Sequence, residues 1–462
     1  MNLKQYIGDR PFYKSLLAVA VPIIIQNSIT NFISLLDNVM VGQIGTEQMS
    51  GVSIVNQLLF VFNLCIFGAL SGAGLFGAQF FGNKEYENLR HTFRYKVIIS
   101  LIIFAGAIVL LWSAGEPLIS LYLHEGGETG DLALTLFYAK KYLAISLIGL
   151  LPFTVTQIYA SSLREVKQTV PPMAAGIIGV GVNLILNYIL IFGKFGAPAM
   201  GVEGAALATV ISRFVECVCV IVWTHLHAER CPFIQGAYRS FRIPRGLVRS
   251  ITITGTPLLL NETLWAAGQA MLLQCYSLRG IATVSAMNIS SVAFNTFSVL
   301  YFSMGTTISI LIGHRLGEGE REKAMDDAKK MIAFSTLLGV LSGILIAACA
   351  TFFPDLYNTT EEVRALAVSF IITVAVSAPI QAILNASYFT LRSGGKTLLT
   401  FLFDSAYVWC FTIPLSYCVI RFTALPVQWV YFMCYNSDII RCVIGIVLVK
   451  RGIWLNDLTK KI

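Results

Sequence analysis

Three carboxylates sit inside long apolar stretches: Asp37, Glu262 and Asp404. Inserting a charged side chain at the centre of a bilayer costs about 2.5–3.5 kcal/mol, so each such acid needs a reason. Gln26, Thr30, Ser34 and Asp37 follow at spacings of four, four and three, so they share one helical face. A polar stripe ending in a carboxylate predicts a hydrated cavity, where the acid takes a proton or ligates Na⁺. The competing reading is a helix-end aspartate among headgroups. Asn183 and Asn187 are an i,i+4 pair, and Thr209 lies in the next apolar run. Their amide and hydroxyl oxygens, with Asp37, make the donor set of a Na⁺ site. Ordinary interhelical hydrogen bonding explains them equally well.

Glu262 is placed near the middle of its run, with Trp265 one turn on and able to line the same cavity. A structural hydrogen bond is the alternative there. Asp404 lies early in its run, after Lys396, and both substrate contact and interfacial anchoring stay open. Arg213 with Glu216, and Asp438 with Arg441, are i,i+3 pairs that neutralise each other without a ligand.

The elements that hold these residues follow from composition. Of 462 residues, 56% are hydrophobic and 13% charged, against about 25% charged in soluble proteins. Such a chain cannot cover a soluble surface, which excludes a cytosolic enzyme, a nucleic-acid binder and a secreted domain. Apolar runs of about 20 residues, the length that spans a bilayer, recur twelve times. The expected fold is an all-α polytopic membrane protein. Its twelve transmembrane helices form two pseudo-symmetric six-helix bundles around a central cleft.

Lys and Arg concentrate on one side, among them Lys4, Arg10, Lys14, Lys84, Arg90, Arg94 and Lys96. Arg230, Arg239, Arg242, Arg245 and Arg249 join them in the longest loop. The opposite loops are short and acidic, with Glu116, Glu125, Glu128, Asp131, Asp355, Glu361 and Glu362. By the positive-inside rule both termini are cytoplasmic, in a multi-pass protein of the cell inner (plasma) membrane. The net charge of +8 is then a topology signal, and nucleic acid is not a partner. The ten cysteines form no CxxC pair and read as small core residues.

The two halves resemble each other. At one constant offset Pro22 falls on Pro257, Gly45 on Gly280, Phe67 on Phe302, Gly82 on Gly317 and Glu85 on Glu320. At a slightly smaller offset Arg164 falls on Arg392, Thr169 on Thr397, Pro198 on Pro426 and Arg213 on Arg441. Matches through glycines, prolines and loop charges are not the chance alignment of leucine-rich helices. The halves are a parallel repeat, an architecture of secondary transporters. The expected division is residues 1–226 as N-lobe with helices 1–6, 227–247 as cytoplasmic linker, and 248–462 as C-lobe with helices 7–12. The linker has room for a short surface helix but no folded domain. Pro22 interrupts the backbone ladder of the first helix near Asp37's face and lets it bend.

There is no GxxxxGK[ST] loop, so no ATP-driven pump is argued. HExxH, GxSxG and an arginine ladder are also lacking. A membrane-embedded enzyme or a receptor would need such a constellation or an outside domain.

SLLDNVMVGQIG (Ser34–Gly45) resembles the helix 1 signature of the multidrug and toxic compound extrusion (MATE) family. NLILNYILIFG and GVEGAALATVIS (Asn183–Gly193 and Gly201–Ser212) resemble its helix 5–6 signature. NETLWAAGQ (Asn261–Gln269) resembles helix 7 of a bacterial subgroup. The resemblance spans roughly residues 10–450. It implies two six-helix lobes and export of cationic, amphipathic drugs or toxic compounds against H⁺ or Na⁺, by alternating access, with no cofactor and no catalysis. It implies cation coupling at Asp37, Asn183, Asn187 and Thr209, with Glu262 matching the helix 7 acid of some branches. Gln26, Thr30, Ser34, Trp265 and Asp404 are the substrate candidates, and the chain is expected to act as a monomer. Two departures are visible. Asn187 stands where some members carry a second acid, and helix 10, near 363–390, has no acid inside it. The alternatives are a flippase for a lipid-linked precursor and a narrow-specificity metabolite exporter.

Overall fold

The computed structural model describes residues 3–122, 131–357 and 359–461. Among them are helices and short turns and no strand. Twelve helical segments stand where the apolar runs were expected. They are α1 (Arg10–Gly42), α2 (Thr46–Gly82), α3 (Tyr86–Ser120), α4 (Leu132–Ile148 and Leu150–Glu165), α5 (Val170–Phe192) and α6 (Gly201–Leu226). The repeat follows as α7 (Arg245–Ser277), α8 (Ile281–Gly317), α9 (Arg321–Cys349), α10 (Glu361–Ser393), α11 (Thr397–Phe422) and α12 (Val427–Lys450).

Ten of these are long and apolar enough to cross a membrane, and α4 makes an eleventh when its two pieces, bent by 45°, are taken as one span. α7 is as long, at 33 residues, but carries Asn261 and Glu262. Helix ends follow local chemistry. The Asp131 side chain accepts from the Ala133 and Leu134 amides and starts α4. Thr360 accepts from the Val363 amide at 3.4 Å and starts α10. Each satisfies a donor that the first helical turn leaves open. α11 contains two π-helical stretches, Leu402–Ala406 and Val408–Thr412. Nothing in its sequence announced them.

The chain packs as two compact units. One holds Ile25–Gly77 and Tyr86–Val248; the other holds Met1–Ile24, Ala78–Glu85 and Arg249–Ile462. The first (the amino-terminal unit) thus includes the segment read as a linker. The second (the carboxy-terminal unit) includes the start of α1, because Leu16, Val19, Ala20 and Ile23 are buried among Met304, Ile308, Leu311 and Leu391. A second cluster in that unit joins α7, α8, α10 and α12, with Phe370 stacked on Tyr431 at 4.3 Å. Lipid is as apolar as leucine, so such packing holds a membrane bundle together through dispersion and close fit.

Candidate functional site

In the amino-terminal unit, α1, α5 and α6 bring four polar side chains into one chain of hydrogen bonds. The Asn187 amide donates to Asp37 Oδ1 at 2.6 Å and to Asn183 Oδ1 at 3.1 Å. The Asn183 amide donates in turn to Thr209 Oγ1 at 3.3 Å. The i,i+4 spacing sets both amides on one face of α5, and both are buried. Asn187 Oδ1 is buried and accepts no hydrogen bond among the described residues. A buried acceptor without a donor costs free energy, so this atom asks for a proton donor or a cation. Tyr142, which the sequence did not single out, lies within electrostatic reach of Asp37 and donates to Asn56 Oδ1 at 3.3 Å.

The polar stripe of α1 is not one continuous path. Gln26 accepts from Arg164 Nη2 at 3.1 Å and donates to the Pro172 carbonyl at 3.4 Å. Thr30 is exposed, and its hydroxyl donates to the Gln26 carbonyl of its own helix at 2.9 Å. The Ser34 side chain lies outside the described residues.

Asp37 makes no ion pair among the described residues. The other acids inside this unit have basic partners. Glu165 is paired with Lys96, whose ammonium also donates to Ser162 Oγ at 3.1 Å. Glu216 faces Arg213 and Arg164. The expected Arg213–Glu216 pair is electrostatic rather than bonded. Arg213 donates to the Gly149 carbonyl at 3.5 Å and lies over the Phe153 ring at 5.1 Å. Lys96, one of the basic residues assigned to the cytoplasmic side, is fully buried within α3. Its partner on α4 lies far away in sequence, so no local spacing could reveal the pair. Glycines 74 and 77 on α2 make the slot for Glu165, since a Cβ at either would meet the carboxylate.

The carboxy-terminal unit holds a different network. Asn261 donates to Asp404 Oδ2 at 3.0 Å and to the Tyr388 hydroxyl at 3.2 Å, and accepts from the Ser405 hydroxyl at 2.7 Å. The other Asp404 oxygen takes Arg441 at 2.8 Å. Arg441 also holds Asp438 at 2.7 Å, the expected i,i+3 pair, and Gln381 donates to Asp438 at 2.7 Å. Both oxygens of Asp404 are therefore engaged within the protein, inside a π-helical stretch. Glu262 faces Arg392 at 3.7 Å. Trp265 is 39% exposed. Trp409 donates to the Leu264 carbonyl at 3.0 Å.

The repeat shows in these contacts. Arg164 and Arg392 are equivalent, and each reaches the equivalent stretch of α1 or α7, at Gln26 and at Glu262 respectively. The carboxylates differ, because Asp37, Asp404 and Asp438 have no acidic counterpart in the other half.

No group of three or more His, Cys, Asp or Glu side chains could hold a metal among the described residues. A Na⁺ carried as cargo needs oxygen donors, and Asp37, Asn183, Asn187 and Thr209 offer one carboxylate, two amide oxygens and a hydroxyl.

The MatE family model matches residues 22–189 and 257–418, once in each half. The probable multidrug resistance protein NorM of Thermotoga maritima is 24% identical over 456 residues, covering 96% of this chain and 93% of the relative. The multidrug resistance protein MdtK of Pectobacterium atrosepticum is 26% identical over 427 residues, covering 90% and 88%. A solved structure of a multidrug resistance MATE family transporter of the MOP superfamily, in an outward-facing conformation, superposes with a TM-score of 0.86. It is 18% identical and covers 99% of this chain and 98% of its own. With both halves matched and the fold shared end to end, the chain belongs to the MatE family and is a bacterial-type MATE transporter.

Proposed function

We propose that the protein exports cationic, amphipathic compounds in exchange for H⁺ or Na⁺, and that the coupling ion binds at Asp37. The observation that carries this is a carboxylate inside the membrane with one amide partner, Asn187, and no basic partner among the described residues. Such an acid is discharged by taking a cation from outside the protein. The acids of the carboxy-terminal unit are already answered by Arg392 and Arg441.

The exchange follows from competition for one charge. When Asp37 is ionised, the Asn187 amide holds it and a drug cation is attracted to it. When H⁺ or Na⁺ binds, the charge is cancelled and the attraction to the drug is lost. For Na⁺, Asn183, Asn187 and Thr209 supply further oxygens, with the unpartnered Asn187 Oδ1 first among them. For H⁺, the same oxygens accept the proton's hydrogen bond. An ion that binds one conformation better than the other shifts the protein between its inward- and outward-open states, as alternating access requires.

An open apolar cavity of about 490 Å³ is lined by Met40, Leu184, Ile185, Tyr188, Ile189 and Phe195, and none of the four network side chains lines it. Leu184 and Tyr188 follow Asn183 and Asn187 in sequence but lie on the exposed side of the helix, away from the buried amides. The multidrug names of the NorM and MdtK relatives support the same substrate class. A lipid-linked pyrophosphate would need arginines free to meet it, and Arg392 and Arg441 are taken by acids. The bias of Lys and Arg supports cytoplasmic termini in the plasma membrane, and we take the monomer as the working unit.

Proteoliposomes holding the purified protein and a trapped pH dye test the exchange. Adding ethidium should release H⁺ in one direction, or Na⁺ when that ion replaces it. Ethidium transport with no counter-flow of either ion would reject antiport.

A further inference from the structure

The segment between α6 and α7 is neither loose nor a plain connector. Arg94 of α3 is buried, and its guanidinium donates to three carbonyls of this segment: Ala237 at 2.8 Å, Gly236 at 3.0 Å and Arg242 at 3.4 Å. Cys231, Phe233, Ile234 and Ala237 are buried beneath it. The Phe93 ring meets Phe233 at 5.2 Å and Tyr238 at 6.1 Å, and the Tyr238 and Tyr159 hydroxyls are hydrogen-bonded. Gly236 turns the backbone at φ +70°, a conformation that disfavours a side chain. The backbone is thus fixed from below.

Its outer face is basic and aromatic. Arg230, Arg239, Arg242 and Arg245 are exposed, with Tyr238 and Phe241 between them at 48% and 49%. From Arg230 to Arg249 the sequence contains no acid. Among the described residues none of these four arginines makes an ion pair. Arg90 comes from α3 to the same turn, since a Cβ on Gly236 would lie 3.5 Å from its Nη1 and 3.6 Å from Arg239 Cδ. Topology alone requires positive charge, but not a pinned backbone or exposed rings among the charges. α6 ends at Leu226 and α7 begins at Arg245, so both borders of the segment are span ends. At that level lie phosphates, which pair with guanidinium groups, and the headgroup zone that aromatic rings favour.

We propose that this face binds the phosphate headgroups of anionic phospholipids in the adjacent leaflet. Arg239, Arg242 and Arg245 take the phosphates, and Tyr238 and Phe241 seat at the boundary of headgroup and acyl chain. Lipid binding here is independent of the ion exchange at Asp37.

The test uses the full-length protein, delipidated in a neutral detergent and titrated with phosphatidylglycerol or phosphatidylcholine of the same chains, read by native mass spectrometry. Phosphatidylglycerol should bind tighter than phosphatidylcholine. The Arg239→Gln/Arg242→Gln/Arg245→Gln variant should bind it about a hundredfold more weakly, at roughly fivefold per arginine. Phosphatidylcholine binding should not change. Thermal unfolding in phosphatidylcholine should match wild type; if the triple variant is destabilised, Arg242→Gln and Phe241→Ser alone decide, each with a several-fold loss. Unchanged phosphatidylglycerol affinity in these variants would overturn the proposal. So would full competition by millimolar inorganic phosphate, which would make the face a site for small anions.

Discussion

Asn187 donates to the Asp37 carboxylate at 2.6 Å while its own carbonyl oxygen, buried, accepts nothing among the described residues. One amide thus both steadies an intramembrane charge and presents an open oxygen beside it. This arrangement suits the ion exchange proposed at Asp37.

Asn187→Ala removes both functions and separates the two candidate ions. With Na⁺ as the coupling ion, a ligand oxygen is lost and the half-saturating Na⁺ concentration should rise about tenfold. With H⁺, the ionised carboxylate loses its donor and proton binding should tighten by a similar factor. Efflux rates measured across Na⁺ concentration and across pH read the difference. A variant with wild-type dependence on both would remove Asn187 from the site.

Glu262→Gln should behave differently from a change at Asp37. Arg392 already answers the charge of Glu262. The variant should keep ion-coupled efflux within about threefold of wild type, a loss of under ~1 kcal/mol. Complete loss, with normal expression, would move coupling into the carboxy-terminal unit.

The Lys96–Glu165 pair is expected to be structural. Removing one partner leaves the other charge buried, so Lys96→Met or Glu165→Leu should each cost about 3–5 kcal/mol. The double substitution should recover most of that loss. Thermal unfolding in detergent provides the measurement, and a double variant no more stable than the singles would contradict it. Gly77→Ala should be destabilising by the same readout, because its methyl would occupy the carboxylate slot.

Much of this was legible from residue type and spacing. The spans follow from apolar length, and the repeat from glycines, prolines and arginines at constant offset. Asp37, Asn183 and Asn187 stood out because membrane burial is costly and a helix turns every 3.6 residues. The partners of Lys96, Gln26 and Asp404 did not stand out. Each comes from a helix far away in sequence, so only packing reveals it. The order of the segment after α6 is hidden from the sequence for a similar reason. Its order comes from Arg94 on α3, whose charge looked like one more topology signal. The π-helical stretch around Asp404 has no compositional mark at all.

The thiol of Cys231 checks the fold of that segment. Burial pushes it up to about 11, with Arg230 pulling weakly the other way. The thiolate is the reactive form, so alkylation of the native protein near neutral pH should be slow and should rise with pH toward that value. Mass mapping of maleimide-treated protein would show it. Rapid labelling at neutral pH would mean that the segment is open.

The most direct test of the account is ethidium efflux from drug-sensitive cells expressing wild type or Asp37→Asn, with surface expression matched and with Na⁺ present or absent. The account predicts efflux by wild type and less than about a tenth of it by the variant. Wild-type dependence on Na⁺ would name the ion, and independence would assign the exchange to H⁺. An Asp37→Asn protein that extrudes ethidium at the wild-type rate, with the same ion dependence, would contradict the central claim.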